Sequence, residues 1–217
     1  MKLLTFVVVL AGWILSLSLH EFSHALVAYY GGDTTVKEKG YLTFNPLKYT
    51  HPVYSLLLPL IFLLLGGIGL PGGAVYIETA RLRSRKWISA VSLAGPASNL
   101  VLAILLGLIL RFAPVTSSGV WPGLAFLAFL QVSALALNLI PLPPFDGFGA
   151  IEPYLPNSIR MAMAQTRGML PFVVFFLLWN VPLVYENFWG LVTLLAQIAG
   201  VPLRLAALGL NQFRFWG

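Results

Sequence analysis

The sequence predicts an all-α polytopic membrane protein of about six transmembrane helices, with a short β-like re-entrant or interfacial segment. Three observations point there. Only 9% of the 217 residues are charged and 59% are hydrophobic, whereas a soluble domain carries about 25% charged residues. Mean hydropathy is +0.87, and the apolar residues run in about six stretches, set against the roughly 20 residues that a helix needs to cross a bilayer. Lysine and arginine fall between those stretches, so that all but Lys2 and Arg111 can lie on one side of a membrane. The net charge of +6 therefore marks cytoplasmic loops and not a nucleic-acid partner. The absence of cysteine excludes disulfides and thiolate metal ligands. No room is left for a soluble domain of about 100 residues. Residues 1–217 read as a single integral-membrane domain, with a core over about 3–150 and accessory helices over about 151–217.

Residues 3–30 form the first predicted helix, without an interior proline, and Gly31-Gly32-Asp33 is its natural stop. Met1-Lys2 before an apolar run looks like a signal peptide. The small-residue cleavage pattern is missing, however, and the run continues into a histidine motif, so it reads as a retained span. That motif is His20-Glu21-Phe22-Ser23-His24. Two histidines four apart share one helix face, so both imidazoles can ligate one metal ion. Glu21 is placed to take a proton from an attacking water. The bland alternative is a satisfied buried cluster. Against it, two of the chain's three histidines are here, and each ionisable group deep in a membrane helix costs ~2.5–3.5 kcal/mol.

Residues 33–52 are polar and mixed, and Val36 to Phe44 suggests a short strand or hairpin around Gly40. His51, before Pro52, reads as an interfacial histidine and not a ligand. The apolar run 53–70 is broken by Pro59, Gly66, Gly67 and Gly69, and Pro71-Gly72-Gly73 follows. A full span with a turn is one reading; a partly re-entrant hairpin is favoured, since non-helical backbone at membrane depth lines cavities. Arg81 to Lys86 is a basic juxtamembrane anchor. The span 87–111 carries Gly95-Pro96-Ala97-Ser98-Asn99. Helix packing explains the small residues there better than it explains the Asn99 amide. The span 120–139 ends in Asn138 and a run with Pro141, Pro143 and Pro144 that forbids regular helix. Asp146-Gly147 follows; the residues by themselves leave a loop turn and a functional carboxylate equally open. Residues 148–168 read as interfacial, 169–182 and 186–203 as two apolar stretches bent near Pro182, and the tail as aromatic and basic.

The basic residues place both ends of 31–86 on the cytoplasmic face, so that 53–80 must enter and return. The same assignment sets the end of the first helix, the start of span 87–111 and the end of span 120–139 near one face. His20, Glu21, His24, Asn99 and Asp146 then converge on one depth, as a single site would require.

On these residues the chain resembles the site-2 protease family of intramembrane zinc metalloproteases, in its small bacterial and archaeal form without a PDZ domain. His20 to His24 is similar to the family's zinc motif, and Gly95 to Asn99 to its G-P-x-x-N segment. Asn138, Pro141, Pro143, Asp146 and Gly147 match its third motif, and Leu42 to Leu47 resembles a loop of the small members. The likeness covers roughly residues 10–155. It implies zinc held by His20, His24 and Asp146, with Glu21 as the base. It implies that Asn138 holds substrate backbone, that Asn99 lines the site, and that a strand-like segment near Gly72, Gly73 and Ile77 pairs with substrate. It implies a multi-pass protein of the cell membrane with its site nearer the cytoplasmic face. The substrate would be a single-span protein cut in or near its transmembrane segment, as in regulated intramembrane proteolysis. Phe148 departs from the family's usual second glycine and would reshape the site.

Two other classes compete. A binding protein on the same fold has no need of an intact Glu21. A metal transporter suits intramembrane His, Glu and Asp, yet the candidate ligands mark one depth and no path to the other face. Natural substrate and oligomeric state are left open by the sequence.

Overall fold

The computed structural model describes residues 2–45, 48, 75–112 and 116–214. Helix α1 runs over Lys2–Gly31, its end set by Gly32 at φ 121°. There Asp33 N–H donates to Ala28 O and Gly32 N–H to Tyr29 O, the paired bonds that close a helix around a left-handed glycine. A short helix α2 follows, Thr35–Glu38. The strand or hairpin expected over Val36 to Phe44 is therefore replaced by a helical turn. Three local bonds decide this. Asp33 Oδ1 accepts both the backbone N–H and the hydroxyl of Thr35, and Gly40 at φ 74° lets Tyr41 N–H reach Val36 O.

Residues 75–78 have no regular secondary structure, and a 3-10 turn over Thr79–Arg81 leads to α3, Arg85–Arg111. Helix α3 passes through Pro96 without ending. Helix α4 spans Trp121–Asn138 and stops before the proline run. After a cis Pro143-Pro144 bond, the short helix α5 covers Asp146–Ile151. A 3-10 turn at Glu152–Tyr154 precedes α6 (Asn157–Thr166), α7 (Leu170–Asn180), α8 (Pro182–Ile198) and α9 (Leu203–Phe213).

Helix α4 is the centre of the bundle and packs on α1, α3, α8 and α9. Its contacts rest on small side chains. Ala125, Ala128 and Ala136 meet Ala103 of α3, Ala196 of α8 and Ala206 of α9. Apolar lipid gives no hydrophobic drive between helices, so close backbone approach of this kind holds them together. Trp13 and Val9 of α1 pack with Phe126 and Leu130 of α4 and Phe213 of α9. The expected interfacial tail is thus partly core: Thr5 Oγ1 donates to Gln212 Oε1 at 2.7 Å, and Phe213 is fully buried.

Helices α1, α3 and α4 are each long and apolar enough to cross a membrane. Two bent pairs, α6 with α7 at 72° and α8 with α9 at 116°, raise the count to five among the described residues. About six spans were expected; of the stretch 53–80, expected as a re-entrant hairpin, residues 53–74 lie outside the described residues, Gly72 and Gly73 among them, as does His51. The described residues contain no strand, and residues 75–78, the described residues next to Gly72 and Gly73, have no regular secondary structure, so the β-like segment is not found there. The break before Pro182 falls where expected.

Candidate metal centre and active site

His20 and His24 stand one turn apart on α1, and their Nε2 atoms face each other at 3.0 Å. Asp146, at the start of α5, brings Oδ2 to 3.2 Å from His20 Nε2 and Oδ1 to 3.5 Å from His24 Nε2. The candidate ligand atoms of the three residues all lie within 4.8 Å of one another. Asp146 reaches them because Gly147 lets the chain fold back on the end of α4: a Cβ there would stand 2.3 Å from Leu139 O. Burial raises the Asp146 carboxyl; when the two imidazoles are protonated their charge outweighs burial and holds it below the usual carboxylate range.

Each ring is pinned through its other nitrogen. His24 Nδ1 donates to Val91 O at 2.6 Å, and His20 Nδ1 to Asn99 Oδ1 at 2.6 Å. Both acceptors are oxygens, so the proton is on Nδ1 and the Nε2 lone pair is free for a cation. Two lone pairs and a carboxylate aimed at one space, with Asp146 Oδ2 buried and lacking a hydrogen-bond partner, repel unless a positive charge joins them. This donor set fits zinc, which takes imidazole nitrogen and carboxylate oxygen and keeps a further position for water. Gly95 of α3 keeps the space open: a Cβ there would lie 2.3 Å from His24 Nε2 and 2.4 Å from His20 Nε2. From the sequence Gly95 is explained by helix packing and falls in the G-P-x-x-N segment; that it faces the histidine pair is decided only when α1 and α3 pack.

Glu21 is buried beside the histidines, and its Oε2 accepts Val75 N–H at 3.1 Å. His20, Glu21, His24, Asn138 and Asp146 line one cleft of about 360 Å³ with Val75 and Ile77 of the segment before α3. Asn99 is elsewhere. It stands behind His20 with its amide oxygen and nitrogen engaged by His20 and Gln131, and it does not line the cleft. Phe148 is buried and also absent from the cleft wall. Residues 75–78 are tied down by the segment after α1: Asp33 Oδ2 accepts Glu78 N–H at 2.8 Å, and Lys39 Nζ lies 3.0 Å from Glu78 Oε1. Hydrogen bonds from Lys39 and then Arg81 hold the Glu78 carboxyl below its ordinary 4.5.

A helix bundle with apolar spans and a His-His-Asp donor set beside a glutamate defines a membrane-embedded metal-dependent hydrolase. Comparison with known proteins makes this specific. The chain is 48% identical over 212 residues to the "Putative zinc metalloprotease Rip2" of Mycolicibacterium smegmatis, covering 97% of this chain and 81% of the relative. The Mycobacterium tuberculosis H37Rv protein of the same name is 46% identical over 213 residues, with the same coverage. The "Putative zinc metalloprotease YwhC" of Bacillus subtilis is 34% identical over 188 residues, 81% of each chain. No protein-family model matches the chain, and no solved structure does. The chain belongs to the site-2 protease family of zinc metalloproteases. It is a zinc-dependent protease.

Proposed function

We propose that the chain hydrolyses peptide bonds in or near the transmembrane segment of single-span membrane proteins, in regulated intramembrane proteolysis. The observation that carries this is the position of the His20, His24 and Asp146 donors, with Glu21 beside them, at the meeting of three helices of which α1 and α3 are long and apolar enough to cross a bilayer. A cleft so placed is reached by a membrane-embedded chain. The bilayer is then part of the working environment, and the basic run Arg81 to Lys86 sets the site towards the cytoplasmic face of the cell membrane.

His20, His24 and Asp146 would hold the zinc. When bound it supplies a Lewis acid and makes water acidic enough to deprotonate at about pH 7. Glu21 accepts the proton of the attacking water and returns it to the leaving amine. The Asn138 amide, on the cleft wall, takes the substrate backbone next to the scissile bond. A substrate helix must unwind first, because a helical carbonyl is already hydrogen-bonded. Strand-like pairing of substrate with the segment from Gly72 and Gly73 to Ile77 offsets that cost.

The test is cleavage of a single-span reporter in vesicles by wild type and Glu21→Gln. The variant keeps the ligands, so zinc stays bound. Its rate should fall by at least ~10²-fold, the lower figure for loss of a general base. Near wild-type cleavage by Glu21→Gln would remove Glu21 as the base. Tight reporter binding without cleavage by either protein would favour a scaffold.

A further inference from the structure

We propose that Gln131 and Ser16 are positioning residues that act through Asn99 to hold His20 in the tautomer that binds the metal. The inference rests on the reading of His20 as a ligand.

Gln131 lies in the middle of α4 and is fully buried, as are Ser16 on α1 and Asn99 on α3 to within 3% exposure. A glutamine amide in a membrane helix is costly unless both its ends are bonded. Here they are. Gln131 Nε2 donates to Ser16 Oγ at 2.9 Å, and Asn99 Nδ2 donates to Gln131 Oε1 at 2.8 Å. The chain continues to His20 through Asn99 Oδ1 at 2.6 Å. Gly12, one turn before Ser16, packs against the Leu127 side chain, one turn before Gln131, so that a Cβ at Gly12 would displace that side chain. That close approach brings α1 and α4 together so that Ser16 and Gln131 meet.

The direction of the chain is decided at its far end. Ser16 Oγ lies 2.7 Å from Gly12 O and 3.2 Å from Trp13 O. Carbonyls only accept, so the single hydroxyl proton is committed to them. Ser16 must then accept from position 131, which makes Nε2 the atom facing it and leaves Oε1 for Asn99. Asn99 in turn must present Nδ2 to Gln131 and Oδ1 to His20. His20 Nδ1 then carries the proton, and Nε2 keeps its lone pair. Run backwards, the same chain would place Asn99 Nδ2 against His20 Nδ1. The proton would move to Nε2, and the nitrogen facing Asp146 and His24 could not bind a metal. Three helices thus contribute one group each to a polarity that ends on a ligand.

The experiment uses purified, zinc-loaded full-length protein challenged with a chelator. Gln131→Met keeps the length of the side chain and its fit in an apolar helix but removes a strong donor and acceptor. Zinc affinity should fall about 10–100-fold, the usual effect of losing a partner behind a histidine ligand. Gln131→Glu should stay within about threefold of wild type. A protonated carboxyl donates to Ser16 and accepts from Asn99 just as the amide does, and an ionised one still accepts from Asn99. In ¹⁵N-histidine spectra, the His20 Nδ1–H signal should persist in wild type and Gln131→Glu and exchange faster in Gln131→Met. Wild-type zinc affinity in Gln131→Met would overturn the proposal. Equal losses in both variants would overturn it too, since packing and not polarity would then be at work. If His20→Ala itself retains full zinc affinity, the ligand assignment has failed, and the proposal falls with it.

Discussion

Replacing Gly95 with alanine puts a methyl group into the space that both candidate ligand nitrogens face. The added carbon would stand 2.3 Å from His24 Nε2, 2.4 Å from His20 Nε2 and 2.5 Å from His20 Cε1, where ordinary contact begins at 3.4 Å. Each nitrogen would have to retreat by about 1 Å, several times the ~0.2 Å over which metal–ligand distances vary. Neither ring can swing away cheaply, because each is tied through Nδ1, one to Asn99 and the other to Val91. Zinc would bind about 2.0–2.1 Å from each nitrogen, so the methyl and the metal compete for the same space. Affinity should fall by more than the roughly 100-fold upper figure for losing a supporting partner. The fold should survive. Overpacking costs about 1–3 kcal/mol, and alanine in a helix interior returns about 0.5–1 kcal/mol relative to glycine. The assay is zinc content by atomic absorption after purification, with far-UV circular dichroism to confirm helix content. Gly190→Ala is the control, since a Cβ there meets nothing within 4 Å. Full zinc in Gly95→Ala would refute the placement of the metal between the two histidines.

Alanine at His20, His24 or Asp146 should each lower zinc occupancy, whereas His51→Ala should leave it unchanged; full zinc in the Asp146 variant would remove that residue from the site. The tie between Glu78, Lys39 and Arg81 should loosen in acid. Glu78 has a carboxyl held below its ordinary 4.5, so its contribution is complete above that value and is lost as pH falls through the lower folded-state value. Backbone amides of Val75 to Glu78, corrected for intrinsic exchange, should lose protection in that window, and Glu78→Gln should abolish the pH dependence. Single cysteines introduced between residues 33 and 45 and between 81 and 86 should label from the same side of intact cells, since no native cysteine competes. Labelling from opposite sides would make residues 53–80 a full crossing.

Much of this protein is written locally. The span α1, its glycine stop and the histidine pair on one face follow from composition, a 3.6-residue period and the left-handed freedom of Gly32. Helices α3 and α4 fall within two residues of their predicted ends for the same reason. Val36 to Phe44 read as a short strand or hairpin around Gly40, because the side-chain bonds of Asp33 that favour a helical turn there carry no periodic signal. Asp146 was undecided between turn and ligand on its residues, since the path of a proline run depends on what it folds against. Gly95, Gln131 and Ser16 carried no functional signal that spacing could reveal. Their meaning lies in distances between groups on three helices, and those distances are set when α1, α3 and α4 pack. Only then do a missing Cβ, a committed hydroxyl proton and a buried amide act on the same imidazole. In a medium that offers no water to satisfy them, each polar group must find its partner within the protein, and the packed helices determine which partner that is.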